Sequence, residues 1–173
     1  MTVLLYILAG IILLILAVIA PKSYNVSRSI EISKPKSEVF ENLRFLKNQD
    51  AWSPWGKKDP NMEKKFTGTD GEVGATSYWN GNKEVGEGEQ EITKIVDGER
   101  IESELRFLKP WKSTSDAYLV TEDAGSGNTK VTWGFSGKNK FPTSIFMLFM
   151  NMDKAVGGDF EEGLASLKSL LEK

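Results

Sequence analysis

The sequence predicts an α+β protein in which an antiparallel sheet of six to seven strands packs on a long C-terminal helix, preceded by one transmembrane helix. Three observations support this fold class. The chain begins with a long uncharged apolar run, its middle alternates apolar and polar residues between turn residues, and its end carries apolar residues at helical spacing. A length of 173 residues accommodates one such domain with an appendage.

The N-terminal run, TVLLYILAGIILLILAVIA from Thr2 to Ala20, contains no charged residue. As an α-helix it would be about 28 Å long, close to the ~30 Å hydrocarbon core of a bilayer. A cleaved signal peptide is one alternative, but it would have a basic start and a small-residue cleavage site, whereas Pro21 follows directly here. A buried core helix is another, but it would normally have a polar face. We therefore expect residues 1–21 to be an uncleaved membrane anchor and residues 22–173 to be the folded domain.

Basic residues follow the apolar run, and only the amino terminus precedes it. They are Lys22, Arg28, Lys34 and Lys36. Because positive charge is retained on the cytoplasmic side of a membrane, this distribution favours a cytoplasmic domain. We expect a single-pass protein of the cell membrane.

The folded domain is expected to begin with a strand and a helix. Residues 24–33 alternate Val26, Ile30 and Ile32 with polar neighbours, which is typical of a strand with one buried face. Pro35 then favours a helix start, and apolar residues at helical spacing continue it to about residue 48. A loop with two tryptophans follows.

The middle of the chain predicts a series of antiparallel strands. They are expected at residues 61–67, 75–81, 84–96, 100–108, 113–122 and 128–137. Turn-forming pairs such as Asn80-Gly81 and Asp97-Gly98 separate them. Alternation within the strands indicates one dry and one wet face.

The C-terminal region predicts one long helix that starts at Pro142. Its apolar residues recur every three or four positions: Phe149, Met152, Val156, Phe160, Leu164, Leu167 and Leu171. Gly157 and Gly158 lie inside this helix, where each glycine costs about 1 kcal/mol relative to alanine. We therefore expect a kink or a close approach to the sheet at this pair.

This order of elements resembles the SRPBCC superfamily, also called START or Bet v 1-like, and specifically its polyketide cyclase-like branch. The resemblance covers about residues 24–173. It rests on the motifs AWSPW (51–55), DPNM (59–62), GATSYWNGN (74–82), VGEGEQEI (85–92), VTWGFSG (131–137) and NMDKAVGGDFEEGLASLK (151–168). It implies a helix-grip fold, in which a curved sheet wraps around the C-terminal helix and an apolar ligand lies between them. Some members catalyse cyclisation or dehydration, but the motifs carry no catalytic residue over to this chain.

Composition restricts the chemistry. The chain has no cysteine and no histidine, which removes thiolate nucleophiles and the commonest general base and metal ligand. We expect no catalytic residues, no metal and no cofactor, and a binding role in preference to an enzymatic one. A net charge of −2 also excludes the basic surface that a nucleic-acid partner requires.

Aromatic, polar and methionine residues are the candidates for a ligand cavity. The candidate ligand-binding residues are Trp52, Trp55, Tyr78, Gln90, Ser103, Trp133, Met147 and Met150. Aromatic walls with a few polar groups are typical of small-molecule sites, although filling the core is the alternative role of each aromatic and methionine. Glu87, Glu89 and Glu91 share one strand face, and three buried like charges would repel each other, so we assign them to the solvated outer face.

These observations leave three hypotheses. The favoured one is a membrane-anchored protein that binds a small hydrophobic or lipid-like molecule between the sheet and the C-terminal helix. The second is a cyclase- or hydrolase-type enzyme that pairs Tyr78 with a carboxylate. The third is a protein-interaction module with a protein partner.

The anchor hypothesis predicts that Thr2–Ala20 is retained in the mature protein. N-terminal sequencing of protein from washed membranes should begin at or near Met1, and alkaline carbonate should leave the protein in the membrane. A mature chain that begins near Pro21, or release by carbonate, would contradict this prediction.

Overall fold

The computed structural model describes residues 2–139 and 141–173. The helices are α1 (Thr2–Ile19), α2 (Lys36–Arg44), α3 (Trp55–Lys58), α4 (Thr143–Phe146) and α5 (Met152–Leu171), and a 3-10 helix covers Leu46–Ala51. The strands are β1 (Ser23–Ile32), β2 (Glu63–Thr67), β3 (Thr76–Asn80), β4 (Glu87–Val96), β5 (Arg100–Lys109), β6 (Ser113–Gly125) and β7 (Asn128–Lys138). The predicted α+β helix-grip fold is confirmed, and every predicted strand is present.

The seven strands form one antiparallel sheet in the order β1-β7-β6-β5-β4-β3-β2. Strands that follow one another pair as hairpins from β2 to β7, while β1 pairs with β7 and so joins the two ends of the domain. Gly98, in the turn between β4 and β5, has φ +68°, a left-handed conformation that glycine adopts without strain.

The core lies between the inner face of the sheet, α2 and α5. Helix α5 contacts β1 and β7, and α2 contacts β6 and β7. At the centre, the Trp133 indole is stacked on the Phe160 ring of α5 with 4.4 Å between ring centroids. A Cβ at Gly163 would lie 2.7 Å from that indole, so the missing side chain lets α5 approach Trp133 closely.

A second close approach holds α5 on β1. The Arg28 guanidinium, from β1, forms ion pairs with Asp153 at 2.8 Å and with Glu161 at 2.5 Å. It crosses α5 beside Gly157, where a Cβ would overlap it. The close approach expected at the glycine pair is therefore confirmed for Gly157, and α5 continues without interruption through both glycines.

The prediction of one helix from Pro142 is wrong, because the segment forms α4, a turn and then α5. Asn151 has an extended backbone (φ −96°, ψ 103°), and its side-chain oxygen accepts a hydrogen bond from the Lys154 N–H. This is an N-cap, which starts a new helix at Met152 and separates it from the apolar residues before it.

The helix predicted to about residue 48 is also shorter than expected. Helix α2 ends at Arg44, and Phe45 is extended. The Asp70 carboxylate accepts hydrogen bonds from the backbone N–H groups of Leu46 and Lys47, which caps the 3-10 helix that follows.

The two glycines of α5 provide a matched test of this packing. Gly157→Ala should lower the Tm of the full chain in detergent, because the new Cβ displaces the Arg28 guanidinium. Gly158→Ala is the control, since nothing lies within 4 Å of its Cβ. Alanine favours the helix by about 1 kcal/mol, which should raise the Tm by roughly 2–4 °C. Thermal unfolding followed by circular dichroism measures both, and equal shifts would contradict the close approach.

Candidate functional site

A cavity of about 280 Å³ lies between the inner face of the sheet and α5. Helices α5 and α2 contact β1, β6 and β7, and they leave space at the inner faces of β3, β4 and β5. Apolar side chains from four strands (β3, β5, β6 and β7) and from α5 form most of its wall. They include Trp79, Ile101, Leu105, Phe107, Ala117, Leu119, Trp133, Phe135, Val156 and Phe160.

An aromatic wall closes one side of the cavity. The Phe107 ring meets the edges of both Trp79 and Phe135, with centroid distances of 6.1 and 6.3 Å. Trp79 lies against Gly88 of the neighbouring strand, where a Cβ would come within 2.5 Å of the indole. The absence of a side chain at Gly88 therefore leaves the space that this indole occupies.

Two polar side chains meet inside this apolar wall. Gln90, on β4, donates a hydrogen bond from Nε2 to the Ser103 Oγ on β5 at 3.2 Å. Ser103 is only 4% exposed. Gln90 is half-buried. Such a polar pair among apolar residues can orient a ligand by hydrogen bonding, because any polar ligand atom placed there needs a partner.

Charged residues surround the entrance to the cavity. Asp50 and Glu84 are the exposed members of the lining, and they lie in the 3-10 helix and in the loop between β3 and β4. Lys64 forms an ion pair with Asp50 at 2.7 Å. Lys58 lies 3.9 Å from Glu84 and 2.8 Å from Asp159 of α5. We call Asp50, Lys64, Glu84 and Lys58 the rim.

The structure brings four of the eight candidate residues to the cavity. Trp55, Gln90, Ser103 and Trp133 line it. Trp52 instead packs behind the wall, where it is 1% exposed and meets the Trp133 ring edge-on at 5.0 Å.

Tyr78 lies outside the cavity, on the face of β3 opposite Ser77 and Trp79. Its hydroxyl donates to Glu87 Oε1 at 2.9 Å, and Glu87 Oε2 lies 2.5 Å from Lys109 Nζ. The hydrogen bond to Glu87 raises the pKa of Tyr78. Lys109 and then Tyr78 lower the pKa of Glu87. The pair therefore stays phenol and carboxylate at neutral pH, and it is not in contact with the cavity.

Met147 and Met150 also lie outside the cavity. With Pro21, Tyr24 and their neighbours they line a shallow groove where the chain leaves α1. The N-cap at Asn151 explains this position, because α5 begins only at Met152 and both methionines lie in the segment before it.

The acidic stretch lies on the outer face of the sheet, as expected. Arg106 forms ion pairs with Glu89, Glu91 and Glu104 at 2.5, 2.7 and 2.6 Å. These side chains are about one-third exposed. One arginine therefore neutralises the repulsion between glutamates that the alternation brings together.

Sequence reasoning left some of the lining unassigned. Leu105, Phe107 and Phe135 are cavity residues that the sequence indicates only as apolar positions in alternating strands. Trp79 differs from the candidate Tyr78 by a single position, and the period of two in a strand is the signal that separates them.

Comparison with known proteins now identifies the fold family. A family model described as "Polyketide cyclase / dehydrase and lipid transport" matches residues 23–172. The chain belongs to this family. Membership and the cavity together indicate ligand binding in a hydrophobic pocket.

Solved structures of this family's fold are similar at low sequence identity. A protein from Nitrosospira multiformis is 18% identical, with 86% of this chain and 96% of that chain covered and a TM-score of 0.62. CV1439 from Chromobacterium violaceum is 15% identical, with coverages of 88% and 99% and a TM-score of 0.59. The Aha1 dimer from Colwellia psychrerythraea is 20% identical, with coverages of 86% and 96% and a TM-score of 0.55. No curated protein matches the sequence.

Outside the matched domain, α1 is the one described helix that is long and apolar enough to cross a membrane. None of its residues is buried. A signal sequence near an N-terminus has the same length and composition.

The Tyr78–Glu87–Lys109 cluster predicts a pH dependence of stability. The folded-state pKa of Glu87 lies below its ordinary value of 4.5, so its contribution is present above that pH and is lost as the pH falls through the folded pKa. Glu87→Gln should therefore lower the Tm near pH 6 and weaken its decrease on acidification to about pH 3. Thermal unfolding at a series of pH values measures this.

Glu72→Gln serves as the control, because Glu72 is exposed and is in no ion pair within residues 2–139 and 141–173. It should keep the wild-type pH dependence. If Glu87→Gln and Glu72→Gln show the same dependence as wild type, the cluster does not stabilise the fold.

Proposed function

We propose that the protein binds a small hydrophobic or lipid-like molecule in the cavity while α1 anchors it in the cell membrane. The observation that carries this proposal is the mostly apolar cavity with the hydrogen-bonded pair of half-buried Gln90 and buried Ser103 in its wall. A core built only for stability would be filled, since an unfilled apolar space forfeits dispersion and burial energy.

The size of the cavity supports a compact ligand. Its volume of about 280 Å³ lies at the lower end of the range of small-molecule sites. A single short acyl chain or a small ring system matches this volume better than a two-chain lipid. Binding would be driven by burial of apolar surface, worth about 25 cal/mol per Å² before the costs of association.

The polar groups support an amphipathic ligand. A hydroxyl or carbonyl at the inner end would exchange hydrogen bonds with Gln90 and Ser103, whose side chains bond only to each other among the described residues. The rim carries both signs of charge and is partly exposed, so it suits a polar group that stays in contact with water.

The anchor supports a ligand that is taken from, or delivered to, the bilayer. Only Ala20, Pro21 and Lys22 separate α1 from β1, so the domain stays at the membrane surface. Hydrophobic molecules concentrate in the bilayer, and a short tether keeps the cavity close to that source. The basic residues after α1 favour the cytoplasmic side for the domain.

The catalytic alternative has weaker support. The Tyr78–Glu87 pair is on the outer face of the sheet, where a ligand in the cavity would not touch it. A general acid must reach the reacting atom within hydrogen-bonding distance. The cavity itself therefore supports binding more directly than this reaction.

Filling the cavity tests the proposal. Ser103→Phe should reduce the affinity for dodecanoate at least about tenfold, or roughly 1.4 kcal/mol, because the ring occupies the ligand's space. Native mass spectrometry of the full chain in detergent measures the bound fraction. The wild type should also carry a co-purifying molecule of lipid mass, which the variant should lack.

Two further variants control for folding. Ser29→Phe makes the same substitution on the exposed outer face of β1 and should bind dodecanoate like the wild type. Overpacking costs about 1–3 kcal/mol, so cooperative unfolding of Ser103→Phe must be checked. Ala117→Leu, directly opposite Ser103 on β6, is the second filling variant. Wild-type affinity in a folded Ser103→Phe or Ala117→Leu variant would rule out this cavity as the binding site.

A further inference from the structure

Exposed apolar side chains are concentrated in one segment of the domain. Among the described residues outside α1, six large apolar side chains are mostly exposed: Val73, Trp111, Phe141, Phe146, Phe149 and Met150. Four of them lie between residues 141 and 150, and Phe149 is 83% exposed. Contiguous exposed apolar residues in a soluble domain mark an interaction surface.

This segment lies beside the point where the chain leaves α1. Helix α4 contacts α1. Leu16 and Ala17, near the end of α1, are half-buried, whereas all earlier described residues of the helix are exposed. One side of the end of α1 is therefore covered, while Val18 and Ile19 stay exposed, and α4 lies beside this helix.

Hydrogen bonds fix the start of the segment to the anchor's exit. The backbone N–H of Asn139 donates to the Lys22 carbonyl at 2.9 Å, and its side-chain Nδ2 donates to the Pro21 carbonyl at 3.1 Å. The connection between α1 and the domain is thus part of the folded structure. The segment 141–150 therefore has a defined position along the axis of α1.

Trp111 lies at the same end of the sheet. Strand β1 begins there and β7 ends there, because Ser23 pairs with Lys138. Strand β6 runs antiparallel to β7, so the turn between β5 and β6, which carries Trp111, is at that end too. The indole is 79% exposed and lies between Pro110 and Lys112.

Basic residues accompany these apolar ones. Lys22, Lys112 and Lys138 are exposed and are in no ion pair within the part of the chain that the structure describes. Aromatic rings with neighbouring lysines are typical of segments in the headgroup region of a membrane with anionic lipids.

We propose that Trp111, Phe141, Phe146, Phe149 and Met150 form a membrane-contact surface that lies in the headgroup region of an anionic bilayer. This inference rests on the anchoring by α1 in the proposed function, and it adds a second, non-spanning contact. The lipid bilayer is the occupant that the position favours, because the surface adjoins the end of the spanning helix. A protein partner or a second copy would have to bind within the region that lipid headgroups fill.

The contact would orient the cavity. The loop between β3 and β4 carries Glu84 of the rim, and it ends at Gly86, whose Cβ would lie 2.5 Å from the Lys109 carbonyl oxygen. This part of the rim is therefore beside the β5–β6 turn with Trp111. With the membrane-contact surface in the headgroups, one side of the cavity entrance faces the bilayer, so that a ligand can pass between them without crossing water.

Single-cysteine labelling tests the membrane contact, and the absence of native cysteines makes each label unique. Met150→Cys, Val73→Cys and Leu8→Cys are each labelled with nitrobenzoxadiazole in the full chain. The labelled proteins are reconstituted into phosphatidylcholine–phosphatidylglycerol vesicles. For residues 150 and 73 the vesicles contain a lipid with a nitroxide near the headgroup end of its acyl chain, and for residue 8, which lies near the middle of α1, the nitroxide is near the methyl end. Val73 is the matched control, being 62% exposed in the turn toward the opposite end of the sheet.

The emission of the label at residue 150 should shift to the blue, and the nitroxide lipid should quench most of its intensity. The label at residue 73 should keep the emission spectrum of a water-exposed label and should not be quenched. Equal, unquenched spectra at 150 and 73 would overturn the proposal. A blue shift at 150 without quenching by the lipid would also overturn it, because a protein surface would then cover the site. The label at residue 8 separates the two proposals. Quenching at residue 8 without quenching at residue 150 would support the anchor and contradict only the membrane-contact surface. No quenching at residue 8 would contradict the anchor itself.

Discussion

The close contact of α5 with one side of the sheet is the constraint on which the rest of the structure depends. Gly157 and Gly163 remove side chains where Arg28 and Trp133 must fit, and the Trp133–Phe160 stack fills the space between them. Because α5 contacts β1 and β7, and α2 contacts β6 and β7, space remains at the inner faces of β3, β4 and β5, and this space is the cavity. The cavity is therefore a consequence of asymmetric helix packing, and its wall is made of side chains that would otherwise be core.

The two faces of the sheet carry different kinds of residue. Apolar residues and the Gln90–Ser103 pair point to the cavity, while the charged residues of β4 and β5 lie on the other face around Arg106. Tyr78 and Trp79 are adjacent in sequence but belong to different environments, one hydrogen-bonded to a carboxylate and the other packed on Gly88. A residue's place in the alternation thus decides whether it can meet a ligand, and the type of residue alone does not.

The junction between α1 and the domain fixes which end of the sheet lies near α1. Asn139 donates hydrogen bonds to the Pro21 and Lys22 carbonyls in the link between α1 and β1, and α4 contacts α1. The end of the sheet at this junction also holds the turn with Trp111 and the loop that carries part of the rim. Membrane attachment and ligand binding are both proposed above. Attachment would place the cavity entrance near the bilayer without any conformational change.

Much of this architecture could be predicted from the sequence, because strands, turns and helix faces are encoded over a few neighbouring residues. The alternation in 101–107 placed Ser103 inward, the glutamates of β4 were assigned to the outer face, and each strand was located to within about three residues of its observed ends. Tertiary structure decided which aromatics reach the cavity. Trp52 and Trp55 come from one predicted loop and both meet Trp133 edge-on, but Trp52 is buried behind the wall while Trp55 lines the cavity. It also decided that Arg28 meets Glu161, 133 residues away, and that the segment before Asn151 lies beside α1. These outcomes depend on where separate elements meet in space, and a local pattern of apolar and polar residues contains no record of that.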